Sequence, residues 1–167
     1  VTELSSTEIW KGIIKFPNQK IGLVPSNALI SVMLLIFKDP ALSRLDDGKN
    51  EKFKLIDTYW KAIAEVYPEI LGPKSIKKDW SMQKAIGVNV LHRLIPHIYG
   101  DIQDENLKLS PSNHKDVFDV NTWTYYFKIL RKNHKDLSVS DEEVDSVKFW
   151  KTGKEGAAGQ YSSGQGR

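Results

Sequence analysis

Apolar and polar positions along the chain alternate between short extended patterns and helical ones. The longest apolar-rich stretch of helical character is Trp80 to Ile98, WSMQKAIGVNVLHRLIPHI. Ile86, Val90, Leu94 and Ile98 recur as one stripe, and Leu91 and Ile95 widen it. This predicts a central buried helix over 81–99, with Ser81 as N-cap and a kink or tightening at Pro96. Gly87 inside it costs about 1 kcal/mol relative to alanine, so its expected use is close approach of another element.

The other elements follow from the same patterning. Ser5-x-x-Glu8 has the form of a capping box. Trp10 to Phe16 alternates, Pro17 to Lys20 reads as a turn, and Ile21 to Val24 is apolar, which predicts a small N-terminal β-hairpin. A helix opens at Pro25-Ser26, with Ser26 as N-cap. Its body, Ala28 to Lys38, is apolar nearly all round and is expected to be buried. Asp39-Pro40 stops it, and Asp46-Asp47-Gly48 signals a turn.

Glu51 to Tyr67 is the best amphipathic pattern, with Phe53, Ile56, Trp60, Ile63 and Tyr67 at three- and four-residue spacing and Pro68 at its end. Gly100 to Asn113 reads as a loop carrying Asp101, Asp104 and Glu105. Asn121 to Asn133 predicts a helix with an aromatic side, and Ser140-x-x-Glu143 opens another that runs to about Trp150. The expected fold is mainly α: about five helices around the 81–99 helix, in a single domain over 1–150. A Gly/Ser-rich tail over 151–167 holds five of the 11 glycines.

Composition changes this picture little. The 167 residues suffice for one domain with a real core. There is no cysteine, which excludes disulfides and thiolate-bound metal and fits a cytoplasmic location. No apolar run is long enough to span a bilayer, so no membrane association is expected. The chain starts at Val1 rather than Met, and is read as a piece of a longer protein. A net charge of +3, with lysines outnumbering arginines 20 to 4, suggests phosphate contact rather than base readout.

Candidate chemistry is sparse. Thr152-Gly153-Lys154 lacks the upstream glycine and the following Ser or Thr of a P-loop. Gly159 to Gly164 does not meet G-x-S-x-G. His92 and His97 stand five apart and diverge on a helix, so a surface or core-edge place is expected for them. The acidic run 141–145 fits helix capping, and 101–105 a solvated loop. No catalytic residue, metal or cofactor is expected, and the chain leans away from enzymes. The five tryptophans fall one per element, which favours core packing over a base-stacking platform.

The cations remain. Lys74, Lys77, Lys78 and Lys84 lead into the central helix, and Lys128, Arg131, Lys132 and Lys135 crowd the end of a later one. In the tail, small residues including Ser162 and Ser163 lie among Lys151, Lys154 and Arg167 and offer an anion cradle. If these sets shared a face they would bind nucleic-acid phosphate; ordinary solubility charge is the alternative.

Trp80, Ala85 to Leu94 (AIGVNVLHRL), Phe149-Trp150 and Gly159 to Gly166 (GQYSSGQG) carry a resemblance. Together they resemble the C-terminal part of DGQHR-domain proteins, a bacterial group that includes the DndB-type proteins of DNA phosphorothioation clusters. Ser5 to Ile14 is similar to the region that follows the family's core. The DGQHR motif itself is absent, so the core's activity is not implied. The resemblance implies a non-catalytic helical region, with DNA as partner, in DNA modification, its regulation or phage defence. A protein-interaction or oligomerisation module, docking on the missing core or a partner subunit, is the second expectation. An enzyme using the tail as an anion-binding loop is the third.

Overall fold

The structure is a computed structural model that describes residues 1–76, 79–132 and 146–152. It is mainly helical. In chain order come α1 (Thr2–Ser6), β1 (Ile14–Lys15), β2 (Val24–Pro25), α2 (Ser26–Ile36), α3 (Glu51–Val66), α4 (Pro68–Leu71), α5 (Ala85–Asn106), α6 (Val120–Lys132) and α7 (Ser146–Phe149). Four of these, α2, α3, α5 and α6, exceed two turns.

The centre of the molecule is α3 rather than the 81–99 stretch. On α3, Leu55, Ile56, Thr58, Tyr59, Trp60, Ala62, Ile63 and Val66 are all buried. This arc is wider than the Phe53-Ile56-Trp60-Ile63-Tyr67 stripe because α6 packs along one side of α3 while α1 and α4 meet it elsewhere. Burying a Leu, Ile or Val side chain contributes roughly 1.5–3 kcal/mol, so the helix held on most sides dominates the core. Aromatic rings fill the junctions. Trp60 meets Trp10 edge-on at 4.7 Å, and Tyr59 meets Trp123 at 5.2 Å and Phe127 at 5.1 Å. Trp10, Trp60 and Trp123 are fully buried, while Trp80 and Trp150 pack half-buried at the core's edge.

The small β element is present, but its two strands pair in parallel, Ile14 with Val24 and Lys15 with Pro25. The chain turns at Pro17-Asn18, and Leu23 and Val24 then both donate to the Ile13 carbonyl. A Cβ on Gly22 would lie 2.6 Å from Lys15 Cβ, and its φ of +133° also requires glycine. The predicted strand over 10–16 shrinks to two residues because 9–13 coils to bury Trp10 and Ile13. Ser5 does not open a helix; it lies in the last turn of α1, its hydroxyl donating back to the Thr2 carbonyl.

Two further expectations change. Ser26 is the first residue of α2 and Pro25 its cap. The helix buries Leu29, Val32 and Ile36 but leaves Ile30, Leu34 and Leu35 outside, so it is a one-sided core helix despite its apolar circumference. α5 starts at Ala85, four residues later than predicted, and runs to Asn106, through Pro96 and beyond the expected stop. Pro96 forfeits one backbone hydrogen bond. Ile95, Ile98, Tyr99 and Ile102, all buried around it, outweigh that loss and carry the helix into the predicted loop. Its buried face is Val88, Leu91, His92, Ile95, Ile98 and Ile102, rotated away from the predicted stripe, so Ile86 and Val90 are exposed.

Gly87 behaves as its position suggested. A Cβ there would stand 2.3 Å from the Ser81 carbonyl oxygen and 2.6 Å from that of Met82. The lead-in folds back over the first turn of α5, and only glycine admits it.

Candidate nucleic-acid interface

That folded-back lead-in is where distant parts of the sequence meet. Trp80 forms an antiparallel bridge with Lys151. The Ser81 amide donates to the Trp150 carbonyl at 2.7 Å and its hydroxyl donates to the same oxygen at 2.9 Å. The Thr152 amide donates to the Asp79 carbonyl at 2.9 Å. Gln83 donates through Nε2 to the Ile9 carbonyl at 2.8 Å. Ser81, Met82 and Gln83 are buried by these contacts, and Phe149 stacks edge-on against Trp150 at 5.2 Å. Ser81, expected as an N-cap, is instead the docking point for the 150–152 segment. Nothing in local sequence marks it as such, because its partner lies 69 residues away.

The predicted cations divide accordingly. Lys74 is exposed in the lead-in, Lys84 is the half-buried N-cap residue of α5, and half-buried Lys151 is bridged to Trp80. The bridge thus joins the lead-in to the start of the predicted tail. Asp79 is exposed in the same lead-in. Lys128 is exposed on α6, which packs on α3, and is not among the bridged residues. Lys132 ends α6.

Arg131 is committed inside the chain. Its guanidinium donates to the Val66 carbonyl and to Glu69 at 2.8 Å, and lies over the Tyr67 ring at 5.3 Å. It locks α6 to the α3–α4 junction, a structural duty that its position at a helix end already suited. Lys77, Lys78, Lys135, Lys154, Ser162, Ser163 and Arg167 lie outside the described residues, as does the Ser140–Glu143 capping box.

The other candidate groups are structural. His92, expected at a surface or core edge, is fully buried. Its Nδ1 bonds the Val88 carbonyl at 2.8 Å, and Trp60 Nε1 donates to Nε2 at 3.4 Å. Burial pulls its pKa from 6.5 down to about 4, so it sits in the core as a neutral ring. His97 is exposed on the same helix.

The acidic run at 101–105 lies on α5 instead of a loop, and Glu105 there accepts from Lys115 and, at 2.9 Å, from the Tyr126 hydroxyl. The Lys115 hydrogen bond, then that of Tyr126, holds the Glu105 carboxyl below its ordinary range. Lys115 also lies 4.8 Å from the Tyr125 ring centroid, and Asn106 grips its backbone through both amide atoms. This cluster fastens the connection between α5 and α6.

Among the described residues, no three His, Asp or Glu side chains gather as a metal site, and no helix is long and apolar enough to cross a membrane. Set against models of protein families, curated proteins and solved structures, the chain matches none.

Proposed function

We propose that this chain is a non-catalytic, DNA-associated region of a DGQHR-type protein that contacts phosphate through lysines around the 79–81 and 150–152 junction. One observation carries the reading. Two of the stretches behind the resemblance, Trp80 to Leu94 and Phe149-Trp150, lie about 60 residues apart in sequence yet form one hydrogen-bonded unit. Gly87 is sterically required by that same unit. Residues that are scattered in the sequence but interlocked in space behave as a single module.

The chemistry suits binding more than catalysis. Lys74, Lys84 and Lys151 carry ammonium groups without the planar fork that reads guanine, which favours backbone contact independent of base sequence. A role in DNA modification, its regulation or phage defence follows from the resemblance alone.

Titration against a labelled DNA duplex tests this. Three phosphate contacts give a slope of about −2.7 in log affinity against log salt. Affinity is then expected to fall about 40-fold between about 50 and about 200 mM salt. Replacing Lys84 and Lys151 by glutamine reduces the slope by about 1.8. Absence of binding at low salt, or binding that ignores salt, overturns the proposal.

A further inference from the structure

Ser81 stands between two of the lysines offered above for phosphate contact. It is fully buried, and its amide, hydroxyl and carbonyl are all engaged. The amide and the hydroxyl both donate to the Trp150 carbonyl, at 2.7 and 2.9 Å, and that carbonyl belongs to the peptide leading into Lys151. The Ser81 carbonyl accepts from the Lys84 amide at 3.0 Å, in the turn that leads into α5. Gly87 leaves room for this same carbonyl, with which a Cβ would collide. One small buried residue thus ties together the backbones of two lysines that the sequence keeps far apart.

The hydroxyl's bond to Trp150 is the informative one. The Ser81 amide, with the Thr152 amide donating to the Asp79 carbonyl, already completes the antiparallel bridge between Trp80 and Lys151. A carbonyl oxygen has two lone pairs. With two donors from Ser81 on the one oxygen, the peptide plane between Trp150 and Lys151 is held against rotation, and with it the direction in which the Lys151 side chain leaves the backbone. This bond pattern also makes Trp80 and Lys151 a non-hydrogen-bonded pair. In such a pair the Cα atoms lie about 4.5 Å apart and the facing side chains leave the same side of the ladder.

We propose that Ser81 is a positioning residue for phosphate binding, acting through Lys151: it sets that lysine beside the start of α5 so that one nucleic-acid backbone meets both Lys84 and Lys151. The inference rests on the phosphate reading of the junction and adds to it how Lys151 is brought to the lead-in. Docking of 150–152 and phosphate binding are then linked. Loosening the Trp150 carbonyl forfeits the Lys151 contact, and phosphate held at Lys151 tightens the bridge.

The test is the salt dependence of binding to a labelled DNA duplex. It is measured on the native chain, Ser81→Ala, Lys151→Gln and the double variant, with circular dichroism to verify folding. Ser81→Ala is expected to flatten the slope from about −2.7 to about −1.8, the value for Lys151→Gln, because one of three contacts is lost. The double variant is expected to stay at about −1.8, since the serine then has nothing left to position. A folded Ser81→Ala with the native slope overturns the inference and leaves the serine a purely structural bond. A double variant that flattens further, to about −0.9, also overturns it. Both results leave the phosphate reading standing, whereas absence of binding by the native chain overturns the two together. Hydrogen exchange gives a second readout that needs no change at Ser81. Saturating duplex is expected to slow exchange of the Ser81 and Thr152 amides about fivefold in the native chain and not in Lys151→Gln. Equal slowing in both proteins, or slowing in neither, overturns the inference.

Discussion

Lowering the pH removes a defined share of this protein's stability through His92. The imidazole is fully buried against Trp60, at 5.5 Å between ring centroids, with no carboxylate to receive a proton. In its neutral form both ring nitrogens are used: Nδ1–H donates to Val88, and Nε2 accepts from the Trp60 indole. Protonating Nε2 would point one N–H at another and leave a charge in the core. The folded-state pKa is therefore about 4, against 6.5 for an unperturbed histidine.

Because the folded value is the lower one, the unfolded chain takes up the proton first. The histidine's contribution is complete above pH about 6.5 and is lost as pH falls toward about 4. A displacement of about 2.5 pH units corresponds to about 3 kcal/mol, lost at up to about 1.4 kcal/mol per pH unit. The assay is urea unfolding followed by fluorescence of the buried tryptophans between pH 7 and pH 4, on the native chain and on His92→Gln. Glutamine keeps an acceptor for Trp60 but does not titrate, and carboxylates such as Glu105 contribute equally to both proteins. The native chain is expected to lose about 3 kcal/mol more than the variant over this range. Parallel stability curves for the two proteins would refute the reasoning.

Two other substitutions probe the core. Gly87→Ala gains up to about 1 kcal/mol of helix propensity but drives a methyl into the Ser81 and Met82 carbonyls. A net destabilisation above about 2 kcal/mol is expected by urea unfolding, and a neutral or stabilised variant would show that the lead-in moves aside freely. Tyr59→Phe removes a buried hydroxyl that donates to the Leu91 carbonyl and ties α3 to α5. It should cost about 1 kcal/mol while leaving the circular dichroism spectrum unchanged, whereas an unaltered midpoint would mean the hydroxyl is idle.

Much of the fold was legible in the sequence because the signals are local. The Glu51 helix ends where Pro68 places it, and Asp46-Asp47-Gly48 forms its turn through the Gly48 amide and the Asp46 carboxylate. Gly87 advertised a close approach, although not to which backbone. The aromatic distribution announced a packed core, and Trp10, Trp60 and Trp123 fill it.

What periodicity could not decide was which apolar face meets which neighbour. On α2 the pattern is nearly uniform, so the sequence cannot distinguish the buried Leu29-Val32-Ile36 line from the exposed Ile30-Leu34 line; only the placement of α5 does. On α5 a one-residue rotation of the stripe buries His92 and Leu91 and exposes Ile86 and Val90, and that rotation is set by Trp60 and Tyr59 across the interface. The continuation past Pro96 likewise depends on burial of Ile98 and Ile102, a gain that no local propensity records.

The sequence by itself determined a mainly helical chain, the starts and stops of α2 and α3, and the residue types available for phosphate contact, because these rest on interactions within a few residues. The tertiary structure decided the identity of the central helix, the parallel pairing of the short strands, the internal commitment of Arg131 and the joining of 79–81 to 150–152. Each of those depends on a partner distant in sequence, and such partners leave no periodic trace in the chain itself.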